Sequence, residues 1–297
     1  ASMKMKFIRD GKWYDYEQHV ECGEKTEKLG LYSLNVAGYC WRITDARWED
    51  RFRELCGYIA QKIALTTTPT LAIGLQEVQL TKGRHLSILK EYFPDFHIVL
   101  PKAYNPDTSP RSVISVLLIS KELCDSYSIN TLTGLEDNLR YNHVIVNLHN
   151  GLCFRLLNVN LPHLCFNNHT AAGYKASRLS QRKAYEESIY QLAKAHQKEQ
   201  DVKLILFGDV NSTPKSDFMQ TLVYSNYMPS FMDALEYEST YTWKNELVHA
   251  ESRLDYILYS LGMLNDTGIS VKTLIDSTTI SQRLSDHAML FGELIFS

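Results

Sequence analysis

Two stretches of the chain carry apolar residues at the three- and four-residue spacing of an amphipathic helix. In residues 45–64 the apolar face is formed by Trp48, Phe52, Leu55, Ile59 and Ile63. In residues 176–197 it is formed by Leu179, Ala184, Ile189, Leu192 and Ala193. The pattern therefore predicts two long helices, each packed through one face against a core.

Short apolar segments surround these helices, and several are nearly continuous runs, as is typical of strands covered on both faces. They predict strands at residues 31–36, 70–78, 96–100, 113–120, 143–148, 153–161, 202–210, 253–260 and 288–296. Asp10-Gly11 predicts the turn of a hairpin within residues 7–16. Strands with helices outside them indicate a layered α/β protein, but the periodicity does not distinguish one open sheet from two packed sheets.

The chain has 297 residues and 44% hydrophobic content, without a linker or an internal repeat, and we expect one domain over residues 1–297. Ala1 and Ser2 precede Met3 and resemble residues left by cloning. No apolar run approaches the roughly 20 residues that span a bilayer. We expect a cytoplasmic monomer without a membrane span. Export stays open, because a signal peptide removed ahead of Ala1 leaves no trace in the sequence.

Charge and cysteine content narrow the partners of the protein. The 31 Lys and Arg against 34 Asp and Glu give a net charge of -3, so only a local basic patch would attract nucleic acid. The six cysteines are scattered singly, and we expect them to be reduced and mostly buried. His163, Cys165 and His169 lack the fourth ligand of a structural zinc site.

Polar residues recur where the predicted strands end. They are Asn35, Glu77, Asn158, Asn160, Asp209, Asn211 and the pair Asp286-His287. Because strand ends converge on one rim of an α/β protein, these groups are expected to meet although they are far apart in sequence. Acids, amides and a histidine gathered in this way indicate a site for a hard cation.

The motifs that carry these residues occur in a recognisable order: LNV, LQEV, GDVNSTP, TW followed by RLDYIL, and SDH. From about Leu31 to the C-terminus the chain thereby resembles the endonuclease/exonuclease/phosphatase superfamily, which includes deoxyribonuclease I and apurinic endonucleases. The resemblance implies a DNase I-like, four-layer α/β/β/α sandwich of two mostly antiparallel sheets flanked by helices. It also implies a metal-dependent hydrolase with its active site at one end of the sandwich.

The resemblance further assigns roles to individual residues. Glu77 would be the principal ligand of Mg²⁺ or Mn²⁺, with Asn35 and Asp286 close to the ion or to its waters. Asp209 would orient or deprotonate the attacking water, and Asn211 would donate hydrogen bonds to the phosphoryl group. Asp255 would hold His287, which contacts a phosphate oxygen or exchanges a proton. Whether Asp209 or His287 is the base stays open.

Two positions depart from the family pattern. Asn160 stands where relatives carry a His or Tyr against the scissile phosphate, and an amide cannot supply a proton at neutral pH. Either Asn160 serves as a neutral donor or His163, three residues later, replaces it, and we favour Asn160. Ala37 stands where some repair nucleases carry another acid, so the number of metal ions is left open.

The expected substrate is a phosphodiester, foremost in a nucleic acid or nucleotide. The alternatives are a phosphatase or phosphodiesterase of a lipid headgroup or sugar phosphate, and a catalytically silent binding module, which the complete set of catalytic residues disfavours. Loops would set selectivity, with Arg42, Arg111 and residues 167–182 as candidates and Trp243 as a pocket wall. Only nine residues separate Trp243 from Arg253, which leaves little room for a loop that penetrates duplex DNA.

Overall fold

The architecture is described from a computed structural model of the chain. The residues described are 2–9, 12–19, 28–38, 47–81, 85–107, 113–197, 199, 202–224, 231–233, 241–245, 250–260 and 268–296. At the start of the chain, β1 (Ser2–Arg9) pairs antiparallel with β2 (Lys12–His19). This pairing is the hairpin expected about Asp10-Gly11, although those two residues lie outside the described ones.

Most of the fold consists of two six-stranded sheets. The strands of the first are β3 (Lys28–Asn35), β4 (Thr70–Gln79), β5 (Phe96–Val99), β6 (Val113–Ser120), β15 (Ile269–Asp276) and β16 (Met289–Phe296). They lie in the order β15-β16-β3-β4-β6-β5. All neighbouring strands in it are antiparallel except β3 and β4, which run parallel.

The strands of the second sheet are β7 (Cys124–Asn130), β8 (Tyr141–Leu148), β9 (Cys153–Asn160), β10 (Val202–Asp209), β11 (Phe231–Asp233) and β14 (Asp255–Ser260). Their order is β11-β14-β10-β9-β8-β7, and β9 with β10 is the parallel pair. A separate small hairpin is formed by β12 (Trp243–Asn245) and β13 (Ala250–Ser252). The two parallel pairs matter for function because each sends two neighbouring strand ends to the same rim.

Alternating side chains of the second sheet explain how the layers stack. In β9, Phe154 and Leu156 belong to the core shared with the first sheet, whereas Leu157 and Val159 pack with the long helix on the outer face. A strand buried on both faces is apolar at every position, which is why these segments read as continuous runs in the sequence. The result is the expected α/β/β/α sandwich.

The helices lie outside the sheets. They are α1 (Trp48–Leu65), α2 (Leu86–Tyr92), α3 (Ala172–His196), α4 (Asp217–Met219), which continues as a π-helical turn over Gln220–Tyr224, and α5 (Thr278–Ser281). Helix α1 buries the predicted residues Phe52, Leu55, Ile59 and Ile63. None of the described helices is long and apolar enough to cross a membrane.

One prediction about α3 is wrong. Leu179 was expected to face inward, but 44% of it is exposed, and Arg182 is buried instead with 2% exposed. The guanidinium of Arg182 is satisfied by the carbonyls of Pro162 and Val210 and by the carboxylate of Glu186. A pattern that counts only apolar residues cannot anticipate a buried arginine whose donors all find acceptors.

Candidate active site

The end of β10 is the centre of the candidate site. Asp209 is the last residue of this strand, and in the sheet register it lies between Asn160 at the end of β9 and Asp255 at the start of β14. All three side chains are buried, with 1–2% of their surface exposed. The parallel pairing of β9 and β10 and the antiparallel pairing of β14 thus bring three polar side chains to one rim.

The first sheet reaches the same centre through Asn35 at the end of β3. Its amide Nδ2 donates to Asp209 Oδ2 at 2.9 Å, and its Oδ1 accepts from the backbone N of Ala37 at 2.8 Å. Asn35 is therefore fixed at both ends of its side-chain amide. This contact ties the two sheets together at the rim and orients the Asp209 carboxylate.

His287 faces Asp209 from the segment that precedes β16. Its Nδ1 lies 2.8 Å from Asp255 Oδ2, so Nδ1–H donates to that carboxylate and Nε2 points toward the centre of the site. There Nε2 lies 3.7 Å from both Asp209 Oδ2 and Asp286 Oδ1. The backbone of His287 is held as well, because its carbonyl accepts from Thr279 Oγ1 at 2.6 Å.

These buried charges alter the proton affinities of both groups. Burial alone would lower the pKa of His287, but the charges of Asp255, Asp209 and Asp286 outweigh it and raise the pKa well above its ordinary value. Burial, together with the charge of Asp255, raises the pKa of the Asp209 carboxyl to about 7. The imidazole is thus charged at neutral pH, while Asp209 exchanges a proton in that range.

Glu77 lies in a bulge of β4, where the register with β6 shifts between Leu75 and Val78. Its φ is 56°, a left-handed conformation that costs a non-glycine residue free energy. The side chain is half-buried, and its charge contributes to the raised pKa of Asp209. Bulges and backbone strain of this kind concentrate at functional positions, because they redirect a single side chain.

Asn211 follows β10 and also has a positive φ, of 50°. Its backbone N donates to Asp209 Oδ1 at 2.9 Å, and its side-chain Nδ2 donates to the Leu161 carbonyl at 2.6 Å. The turn is further braced by Arg182, whose Nη1 donates to the Val210 carbonyl at 2.6 Å. Sequence reasoning missed the bracing role of Arg182, for which a single arginine on a helix gives no specific signal.

Among the described residues, one oxygen of Asp286 is engaged in a hydrogen bond, and the other has only the ion pair at 3.7 Å with His287 Nε2. Oδ2 accepts from the indole N–H of Trp243 at 3.2 Å, whereas Oδ1 is buried without a hydrogen-bond partner. Asn160 Oδ1 is likewise buried and unpartnered there. An unsatisfied buried carboxylate oxygen is costly unless a cation or a bound group completes it. A carboxylate oxygen such as Asp286 Oδ1 is a ligand of the kind that hard divalent ions prefer.

The other predicted site residues lie outside the buried cluster, or fall outside the described residues. His163 is exposed on the loop that follows β9, three residues beyond Asn160, and does not enter the buried cluster. Trp243 pairs with His287 through an isolated β-bridge, which places its ring at the edge of the site. Arg42 and Arg111 lie outside the described residues. Asn158 sits beneath the site, where its Nδ2 donates to carbonyls of both neighbouring strands of the first sheet.

Two packed mixed sheets with flanking helices, and a buried cluster of acids, amides and histidine at their rim, define a DNase I-like sandwich. The sequence profile of the Endonuclease/Exonuclease/phosphatase family matches residues 32–287. The chain belongs to this family, whose enzymes are hydrolases that act on phosphoester bonds. No curated protein sequence matches the chain.

Solved structures share the fold at low sequence identity. The endonuclease/exonuclease/phosphatase from Bacteroides vulgatus is 16% identical with a TM-score of 0.64, over 91% of this chain and 99% of that one. The human Nocturnin catalytic domain with bound sulfate is 19% identical with a TM-score of 0.59, over 91% and 95%. D. rerio TDP2 complexed with a single-strand DNA product is 16% identical with a TM-score of 0.58, over 90% and 98%.

Proposed function

We propose that this protein is a Mg²⁺- or Mn²⁺-dependent hydrolase of phosphodiester bonds in a nucleic acid or nucleotide. The observation that carries the proposal is the position of His287, held by Asp255 and aimed between two further carboxylates at the joint rim of both sheets. A neutral structural histidine does not need three surrounding acids. A histidine that donates a proton to an anionic oxygen must stay charged, and surrounding acids keep it so.

Glu77 and Asp286 would hold the metal ion, with Asn35 beside them. When bound, such an ion supplies positive charge that stabilises the phosphoryl oxygens and lowers the pKa of nearby water. The ligand atoms of Asp209, Asp255 and His287 also lie within 4.8 Å of one another. We assign that trio to proton handling instead, because His287 and Asp255 already satisfy each other with a 2.8 Å hydrogen bond.

The remaining groups divide the chemistry between them. Asp209, with a pKa of about 7, is suited to accept the proton of an attacking water at neutral pH. His287, being charged, donates from Nε2 to a phosphate oxygen and so offsets the charge that develops there. The amides of Asn160 and Asn211 add neutral hydrogen bonds to the phosphoryl group. Asn160 is preferred over His163 because it is buried in register with Asp209.

The choice of a nucleic acid or nucleotide over other phosphoesters is supported by the surroundings of the site. D. rerio TDP2, which has the same fold, was solved with a single-strand DNA product. In this chain, burial and the charge of Arg140 lower the pKa of Arg178, and burial and the charges of both arginines lower the pKa of His163, so two guanidinium groups lie near each other with the charge of Glu77 nearby. A local concentration of cations suits a substrate with more than one phosphate.

Hydrolysis of bis(p-nitrophenyl) phosphate and p-nitrophenyl phosphate, with Mg²⁺ or Mn²⁺ and with EDTA, tests the proposal. We expect metal-dependent cleavage of the diester in preference to the monoester. His287→Asn should lower kcat by roughly 100-fold or more, since general acid–base groups contribute about that much. Glu77→Gln should lower kcat as well, because it removes the charge of the proposed metal ligand. Glu187→Gln and His149→Asn change the same residue types at exposed positions and should leave kcat unaltered.

Circular dichroism and thermal unfolding of each variant separate loss of chemistry from loss of structure. Turnover that survives EDTA, or that survives either substitution in a folded protein, would contradict the corresponding assignment. Preference for the monoester would favour the sugar or lipid phosphatase.

A further inference from the structure

A row of rings runs along the surface next to the candidate site. The rings of His163 and Phe166 lie 6.2 Å apart, and Phe166 meets Tyr174 edge to face at 6.2 Å. The row ends on Arg178, whose guanidinium carbon lies 5.8 Å from the centre of the Tyr174 ring. The loop after β9 supplies the first two residues and the start of α3 supplies the last two. We call these four residues the ring surface.

Large apolar side chains in the ring surface and beside it in sequence are exposed to solvent. Tyr174 is 50% exposed, and the adjacent Leu164 and Leu179 are 41% and 44% exposed. Of the seven large hydrophobic side chains exposed in the described part of the chain, three belong to residues 164–179, and Tyr127 and Ile129 form a second exposed pair on β7. Exposed apolar groups that gather at one place commonly mark a binding surface, whereas scattered ones need no explanation.

Its position links this surface to the catalytic centre. His163 follows Asn160 by three residues, and the backbone N of Asn160 donates to the Arg140 carbonyl at 3.0 Å. The charge of Glu77 opposes the lowering of the Arg178 pKa that burial and Arg140 produce. Arg178 is thus within electrostatic reach of the predicted metal ligand while its guanidinium contacts the Tyr174 ring.

Arg178 and Arg140 also have donors to spare. The Nε atoms of both are buried without a hydrogen-bond partner in the described part of the chain, and neither side chain forms an ion pair there. Two like charges held close together are unfavourable unless an anion completes them. A guanidinium presents several donors in a fork that matches phosphate oxygens.

We propose that the ring surface stacks a nucleobase next to the scissile phosphodiester, while Arg178 holds the phosphate that connects that base to the reacting one. This inference rests on the proposed function and specifies its substrate as a single-stranded polynucleotide or an oligonucleotide. Aromatic faces stack on any base, so recognition would tolerate different sequences. Tyr174 and Phe166 would contribute affinity through their rings, and Arg178 through its charge.

Fluorescence anisotropy in EDTA, which prevents turnover, tests this with two strands of equal length, a short oligo(dT) and an abasic phosphodiester strand. We expect wild-type protein to bind oligo(dT) more tightly. Tyr174→Ala should weaken oligo(dT) binding about 10-fold, from the usual stacking contribution, and leave the abasic strand unaffected. Tyr174→Phe should keep wild-type affinity because the ring is retained. Arg178→Gln should weaken both strands.

Tyr127→Ala provides the matched control, since Tyr127 is a partly exposed tyrosine on β7, the edge strand of the second sheet farthest from β14. Equal wild-type affinity for the two strands, an unchanged oligo(dT) affinity in Tyr174→Ala, or the same loss in Tyr127→Ala would overturn the inference. The inference would also be overturned if Tyr174→Ala weakened binding to phosphatidylcholine vesicles but not to oligo(dT). The binding assay needs no turnover. A protein that binds the base but hydrolyses no phosphodiester would therefore refute the proposed function and leave the base-binding inference intact.

Discussion

At the scale of single residues, His143 shows how strongly this fold constrains a titrating group outside the candidate site. The side chain is 4% exposed, its Nδ1 lies 3.1 Å from the Thr131 carbonyl, and Arg155 Nη1 donates to its Nε2 at 2.8 Å. Burial lowers the pKa of His143 to about 4, and the charge of Arg155 adds to the effect. The imidazole is therefore neutral in the folded protein.

This makes stability depend on pH in a defined direction. The unfolded chain binds a proton on His143 near the ordinary pKa of 6.5, whereas the folded protein binds it only near pH 4. The contribution of His143 to the free energy of unfolding is thus intact above about pH 6.5. It is lost as the pH falls toward 4, by up to about 3 kcal/mol, at roughly 1.4 kcal/mol per pKa unit.

Urea unfolding at pH 8 and pH 5 measures this dependence. His143→Gln, whose amide does not titrate, should lose less stability between the two values than wild-type protein. His149→Gln, at an exposed position, should behave as wild type. An equal loss of stability in all three proteins would show that other groups govern acid unfolding.

Residue-scale predictions from the sequence depended on motifs more than on periodicity. The motifs pointed to residues that the fold brings to one rim, including Asn35, Asp209, Asp255 and His287. The sequence favoured Asn160 over His163, and the strand register supports that preference by placing Asn160 beside Asp209. The error at Leu179 arose because periodicity cannot recognise that an arginine occupies the buried face of α3.

At the scale of elements, Gly74 marks a close approach of the two sheets. A Cβ atom added to this residue of β4 would lie 2.2 Å from Cε2 of Phe207 on β10 and 3.0 Å from Oδ1 of Asn158. Phe207 is fully buried, with 0% exposed. The distance between the sheets, and with it the position of Asp209 two residues after Phe207, depends on this missing side chain.

Gly74→Ala should therefore lower the free energy of unfolding by about 1–3 kcal/mol, the usual cost of overpacking a core. Combined with Phe207→Leu, which shortens the opposing side chain, it should cost less than the sum of the two single substitutions. Chemical denaturation of the four proteins gives the coupling free energy. Strict additivity would mean that the two positions do not compete for space.

The sequence predicted the strands whose positions are nearly all buried and apolar, and it missed elements whose positions are mostly exposed. Strands such as β6 and β10 are buried at nearly every position and were located to within a residue or two. Strand β7 lies at the edge of its sheet with most positions exposed, so its sequence, CDSYSIN, carries no apolar run. The short α2 and the three-residue strands are fixed by tertiary contacts instead of by local pattern.

At the scale of the whole molecule, periodicity left open whether one sheet or two are present. Only the family resemblance implied two packed sheets, and the structure confirms them. The reason is that sheet pairing is set by contacts distant in sequence. The hydrogen bond from Asn35 to Asp209 joins residues 174 positions apart, and the one from Ser285 to the Asn35 carbonyl spans 250.

The central claim is that the rim holds a divalent ion beside a phosphate, with Glu77 and Asp286 as protein ligands. A crystal structure of the protein soaked with Mn²⁺ and phosphate, with anomalous diffraction at the manganese edge, tests it directly. We predict one anomalous peak roughly 2.0–2.2 Å from a carboxylate oxygen of Glu77, near Asp286 Oδ1, with phosphate between the ion and His287 Nε2. A peak enclosed by Asp209, Asp255 and His287, or no peak at the rim, would contradict the account.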